Sequence, residues 1–212
     1  MPRRLVLASA SPRRRELLDA VGLTFAIVPA DLDEAAIAAG RPPAGGALAV
    51  ARAKAEALPH DDAVVLAADT VVVVDGRTLG KPADAAEARV MLATLRGRTH
   101  EVITAVVVAG PGGLRDAVAS SAVRMRAWDP AEAEAYVASG GGLDKAGAYG
   151  IQDRGFSPVD AIDGCWCNVM GLPLWTAWAL LAAAGCRPPR DPASAFPRCA
   201  ACPLRTDATP LA

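Results

Sequence analysis

A chain of 212 residues has room for one domain, or for one domain split into two lobes. With 52% apolar and 21% charged residues it can bury a core, and it is not disordered as a whole. Its 22 Lys and Arg are offset by 23 Asp and Glu, and it has only three Phe, two Tyr and four Trp; it therefore lacks both the basic excess of a general nucleic-acid binder and an aromatic stacking platform.

Residues 4–9 form a short apolar run that predicts a buried strand. The N-terminus has a faint signal-peptide look, but its apolar stretch is too short and Arg13, Arg14 and Arg15 follow at once, so the expectation is a soluble cytoplasmic protein. Ser11 as N-cap and Pro12 in the first turn start a helix over 13–21, closed by Gly22. A strand is expected at 24–28, a loop at 29–46 carrying Asp31, Asp33 and Glu34, and a helix at 47–58 containing Lys54. Residues 63–74 predict a long Val-rich strand interrupted only by Asp69-Thr70, with a reversal at Asp75-Gly76. A helix at 85–95 stops at Gly97, two strands (100–109 and 114–128) flank a Gly-Pro-Gly-Gly turn, and a helix spans 130–138. Residues 148–162 read as loop with short extended pieces, and 172–184 as the last helix. Mean hydropathy is +0.25. Even so, the longest apolar run, from Leu172 to Cys186, contains Pro173 and falls short of the roughly 20 residues a spanning helix needs. The Pro-crowded stretch 186–212 predicts an extended, poorly ordered tail after a domain at 1–185. Strands and helices with two hairpins point to an α/β fold with a mixed sheet.

Four segments carry chemistry. Ser9-Ala10-Ser11-Pro12-Arg13-Arg14 joins a strand to a helix N-terminus, where free N–H groups, two hydroxyls and two guanidiniums suit a phosphate, although a capped helix beside a solvated basic turn reads the same way. Asp69 places a carboxylate in an apolar strand, which is costly unless paired, hydrogen-bonded or metal-bound. Gly80-Lys81-Pro82 offers a point charge on a fixed turn, and Lys54 another on a helix. Glu34, with Asp31 and Asp33, has the hard oxygens a divalent cation takes. In Tyr149-Gly150-Ile151-Gln152, the Gln152 amide is able to read a base edge.

His60 and His100 give no Ser-His-Asp or Cys-His arrangement, and Walker A and dinucleotide fingerprints are absent. Cys199-Ala200-Ala201-Cys202 has metal-like spacing, but zinc needs four ligands. Cys186 is the only other nearby candidate and no His follows, so the count speaks against a site; Cys165 and Cys167, flanking Trp166, read as strand alternation.

Taken together, LASASPRRRELL (7–18), LDE (32–34), RAKA (52–55), AADTVV (67–72), LGKP (79–82), THEVITAV (99–106), DKAGAYGIQ (144–152) and NVMGLPL (168–174) resemble the Maf family of nucleoside triphosphate pyrophosphatases, in order and spacing, across roughly residues 3–185. The resemblance implies a mixed, curved β-sheet with flanking helices of the inosine-triphosphatase-like kind, two lobes around a cleft, and frequent homodimers. It also implies hydrolysis of a nucleoside triphosphate to the monophosphate and pyrophosphate with Mg²⁺ or Mn²⁺. YGIQ looks like the branch acting on dTTP and UTP, where Arg14, Thr70 and Gln152 are the matching positions. By the same carry-over Asp69 is the proton acceptor and, with Glu34, a metal ligand, and Ser9, Arg13, Lys54 and Lys81 line the cleft. Thr70 and Gln152 are expected to face the base. The sequence departs from the family pattern at Asp153 and Arg154, and its tail has no recognised counterpart. A pyrophosphatase for other, modified nucleotides and a nucleotide-sensing regulator of cell division are the competing readings; no membrane or nucleic-acid partner is expected.

Overall fold

In a computed structural model describing residues 3–59, 62–153 and 155–205, the opening apolar run is β1 (Arg4–Leu7), which turns through Ser9-Ala10-Ser11 into α1 (Pro12–Ala20). Pro12 occupies the first helical turn, where its missing N–H costs nothing. Ser11 stands at the N-cap, but its hydroxyl makes no capping bond; Ser9 Oγ accepts the Ser11 N–H instead, at 3.3 Å. β2 (Phe25–Ile27) and β3 (Ala63–Val74) lie parallel to β1 on its two edges. Between them run α2 (Glu34–Ala38) and α3 (Pro43–Glu56). β4 (Arg77–Leu79) hairpins back on the end of β3, and α4 (Ala85–Leu95) follows. The long strands β5 (Thr99–Gly110) and β6 (Gly113–Met125) then extend the sheet antiparallel, α5 (Pro130–Ala138) intervenes, and β7 (Val159–Asp163) closes the order β2-β1-β3-β5-β6-β7 with β4 on β3. The mixed α/β architecture expected from the sequence is what forms.

Period-two alternation divides the core. Val64, Leu66 and Ala68 of β3 face α1 and the C-terminal helices, whereas Val65 and Ala67 face Ala47, Ala51 and Ala55 of α3. A further cluster fills the other end of the sheet, where Val72, Val74, Val102 and Val123 meet Leu92 and Leu95 of α4 and Trp128.

Three expectations are corrected. Residues 29–46 are not all loop: Asp33 caps α2 by accepting the Ala36 N–H at 3.0 Å, and Pro43 starts α3 four residues early. Cys165 and Cys167 do not alternate on a strand, because Cys165 caps the short helix α6 (Trp166–Val169), which precedes α7 (Leu174–Ala183). Up to Arg205 the tail is not extended: it forms α8 (Pro192–Ala195) and a 3-10 turn at Pro197–Ala201, burying Cys199 and Cys202 against the α1 side of the core. His60, Asp61 and Arg154 lie outside the described residues. No described helix is long and apolar enough to cross a membrane.

Candidate active site

β3 is longer than its partners on one edge. Residues 63–66 pair with β1 and 72–74 with β4, so 67–71 have β5 on one side and no strand on the other. The sheet is notched where β1 gives way to the N-terminus of α1, the place where open α/β sheets present backbone donors to anions. Asp69 and Thr70 lie in this notch. Being adjacent on a strand, they leave it on opposite faces, and each meets a different helix.

Asp69 faces α3, where Lys54 Nζ donates to Asp69 Oδ1 at 3.0 Å. The same ammonium lies 2.9 Å from Glu34 Oε1, so one buried cation is flanked by two carboxylates. Glu34 reaches it because α2 packs closely on α3: a Cβ on Gly46 would come within 3.3 Å of Ala38 Cβ. Two carboxylates are donors that hard divalent cations accept, and here they share the Lys54 ammonium. A cage of three or more His, Cys, Asp or Glu is not preassembled among the described residues.

Thr70 faces α1, where Arg14 is almost fully buried. Arg14 Nε donates to the Gly171 carbonyl at 2.8 Å, Nη1 to Ser9 Oγ at 2.9 Å and Nη2 to Thr70 Oγ1 at 3.1 Å. Three of the five guanidinium N–H groups are thereby fixed, leaving two for a ligand. Thr70 Oγ1 also contacts Thr104 Oγ1 at 3.0 Å, and Thr104 in turn donates to the Asn168 carbonyl at 3.2 Å. The Thr70 hydroxyl is thus committed to holding Arg14 in place, and the base-facing role expected of it is not supported by these bonds. Burial draws the Arg14 guanidinium below its ordinary value; Asp69 and Glu34 act against this and Arg13 acts with it, so the four charges share one field.

Arg13 extends from α1 to Asp144, 3.3 Å away, and Asp144 also binds Lys145 at 2.6 Å. The following 3-10 turn, Ala146–Ala148, docks where β3 meets β4, next to the notch: a Cβ on Gly147 would lie 3.1 Å from the Val72 side chain, and the Gly147 N–H donates to the Gly80 carbonyl at 3.0 Å. This places exposed Lys81 beside the 144–148 segment rather than in contact with Asp69. Gln152 Oε1 is buried without a hydrogen-bond partner among the described residues. Sequence reasoning missed Gly171, Thr104 and Lys145. A backbone carbonyl and a buried strand threonine leave no sequence signal, but Lys145 sits in the stretch DKAGAYGIQ and was open to selection.

The site can therefore hold a polyanion between a locked guanidinium and several further cations, beside a carboxylate with one oxygen unengaged among the described residues. A family model described as Maf-like protein matches residues 4–184. The dTTP/UTP pyrophosphatase of Moorella thermoacetica is 53% identical over 188 residues, covering 86% of this chain and 95% of that protein. The enzyme of the same name from Syntrophomonas wolfei is 47% identical over 183 residues, 84% of this chain and 96% of that one. A third, from Thermomicrobium roseum, is 47% identical and covers 94% of this chain and 93% of its own length, which carries the match into residues beyond 184. Among solved structures, a HAM1 protein from Coxiella burnetii aligns at TM-score 0.41 and 17% identity, over 60% of this chain and 75% of that one.

Proposed function

The chain belongs to the Maf family, and from that membership we propose that it hydrolyses nucleoside triphosphates, dTTP and UTP foremost, to the monophosphate and pyrophosphate. The observation that carries this reading is the pair of opposed halves at the notch: Arg14, fixed by Ser9, Thr70 and Gly171, on one face, and the Lys54–Asp69–Glu34 cluster on the other. The two donors left on Arg14 bind phosphate oxygens as a fork, and Arg13, Lys54 and Lys81 add positive charge along the triphosphate. Ser9 keeps Arg14 turned toward the helix N-terminus.

Asp69 offers Oδ1 to Lys54 and has Oδ2 unengaged among the described residues. That oxygen accepts the proton of a water attacking the α-phosphorus as the bond to the β-phosphate breaks and pyrophosphate leaves. Glu34 and Asp69 are the residues that would hold Mg²⁺ or Mn²⁺; such an ion, when bound, supplies charge neutralisation at the phosphates. Gln152 Oε1, buried and unpaired, suits the single N–H that uracil and thymine present between their carbonyls. The relatives' shared name agrees with that preference.

The test is a panel of canonical and modified nucleoside triphosphates, each assayed separately for pyrophosphate and orthophosphate with Mg²⁺ and with Mn²⁺. Pyrophosphate release fastest from dTTP and UTP is expected. Asp69→Asn, which keeps the hydrogen bond to Lys54 but not the base, should lower kcat by roughly 10²- to 10⁴-fold with the fold intact by circular dichroism. Orthophosphate as the sole product, or near-normal turnover by that variant, refutes the reading.

A further inference from the structure

Outside the notch, behind α6, the four buried cysteines of the chain come together. Cys165 and Cys167, at the start of α6, meet Cys199 and Cys202 from the C-terminal turn, two short motifs 32 residues apart. Cys167 Sγ is 3.4 Å from Cys199 Sγ, Cys165 Sγ engages both Cys167 and Cys202, and the contacts run as a chain Cys199–Cys167–Cys165–Cys202. Cys186 stands apart, only partly buried. The ligand count that spoke against zinc in the sequence omitted Cys165 and Cys167, which look like strand residues until α6 is seen.

We propose that Cys165, Cys167, Cys199 and Cys202 form a structural tetrathiolate centre that takes one zinc ion and staples the C-terminal segment beneath α6. An edge of a tetrahedron with zinc–sulfur bonds of about 2.3 Å is about 3.8 Å, close to the 3.4 Å between Cys167 and Cys199. The four sulfurs do not surround one common point, so zinc would have to draw them together on binding. A second observation points the same way. Backbone N–H groups are already aimed at the sulfurs: Asn168 N–H donates to Cys165 Sγ at 3.4 Å, Cys167 N–H reaches the same sulfur, and Leu204 N–H reaches Cys202 Sγ. The Asn168 bond also caps α6, but the set of donors as a whole is of the kind that orients and stabilises metal-bound thiolates.

The surroundings fit the charge. Zinc binding would remove four protons from the thiols to solvent and leave a centre of net charge −2. Arg198 lines the cavity of about 150 Å³ beside Cys165, Cys199 and Cys202 and lies over the Trp166 ring, 5.8 Å from its centroid. Arg205 binds the Ala200 carbonyl at 3.0 Å, and Trp175 Nε1 holds the Cys199 carbonyl at 2.9 Å, so the ligand turn is also braced from outside. Through α6 the centre adjoins Asn168 and Gly171, whose carbonyls hold Thr104 and Arg14.

The experiment is metal analysis of the full chain, purified without chelator and exchanged after incubation with zinc sulfate. The wild type and Cys186→Ser should retain about one zinc per chain, and Cys202→Ser at least about tenfold less. Thiol titration of the native wild type should find one reactive cysteine, Cys186, and all five once the protein is unfolded with chelator. Should Cys202→Ser fail to fold, cobalt(II) substitution of the wild type decides the matter, because a tetrahedral tetrathiolate gives strong visible d–d bands and sulfur-to-metal charge transfer. Zinc retained equally by Cys202→Ser, no zinc in the wild type, iron as the sole metal, no cobalt bands, or four thiols locked as disulfides would each overturn the proposal.

Discussion

Arg14 and Asp69 are ionised side chains that the fold accommodates only because each is given partners. Arg14 receives three oxygens, one from its own strand-to-helix turn, one from β3 and one from the Gly171 backbone. A buried guanidinium stripped of such bonds costs several kcal/mol. Gln152 is the opposite case, since its Oε1 is buried and lacks a donor among the described residues. An unmade bond of this kind costs roughly 1–3 kcal/mol, which a base N–H would return on binding and a cytosine ring nitrogen, itself an acceptor, would not. Gln152→Ala should therefore shrink the UTP-to-CTP ratio of kcat/KM by roughly tenfold, mostly through loss on UTP. Steady-state kinetics on the two substrates check it, and an unaltered ratio removes Gln152 from base reading.

At the scale of elements, Gly171 shows how a short connection controls the site. Its φ of +107° is a conformation that side chains avoid, and a Cβ there would sit 3.5 Å from Thr70 Oγ1 and 3.8 Å from Arg14 Nε. Space exists, so the difficulty lies in the backbone, and Gly171→Ala should destabilise the protein by about 1–3 kcal/mol while turning the carbonyl off Arg14. A lower melting temperature together with a raised KM for the triphosphate is expected; Gly112→Ala, in a turn with nothing within 4 Å of its Cβ, should change neither. Gly171 standing within NVMGLPL was legible, but its carbonyl's use was not, because a backbone acceptor carries no residue signature. The strand-turn-helix around Ser9–Arg14 and the Asp69-bearing strand could be read directly, since apolar runs and Pro12 state their own geometry. α2 and the start of α3 could not: Gly40, Pro42, Pro43, Gly45 and Gly46 look like loop, yet Pro43, Gly45 and Gly46 form the first turn of α3, where Gly46 lets α2 pack closely through Ala38. The pairing of Cys165 and Cys167 with Cys199 and Cys202 was hidden for the same reason, as it depends on where α7 returns the chain.

Across the whole molecule the two ends of the sheet carry different liabilities. The notch end is built on paired charges, whereas the far end buries His100 of β5 among Val102, Val123 and Tyr149. Nε2 of His100 bonds the Tyr149 hydroxyl at 2.7 Å, and Nδ1 is buried with no partner among the described residues, so a second proton would have nowhere to donate. Burial accordingly lowers the His100 pKa to about 4 from an ordinary 6.5. As pH falls, the unfolded chain takes up this proton first, so stability is lost between pH 6.5 and 4 and is fully present above 6.5. At pH 5 the loss from this residue alone is about 2 kcal/mol. His100→Gln keeps an amide to face Tyr149 and removes the titration. Between pH 7.5 and 5 the wild-type melting temperature should therefore fall about 4–8 °C further than that of the variant. Carboxylate titration is common to both proteins and cancels in the comparison. Parallel melting-temperature profiles for the two would mean that His100 takes up its proton in the folded state as readily as in the unfolded one.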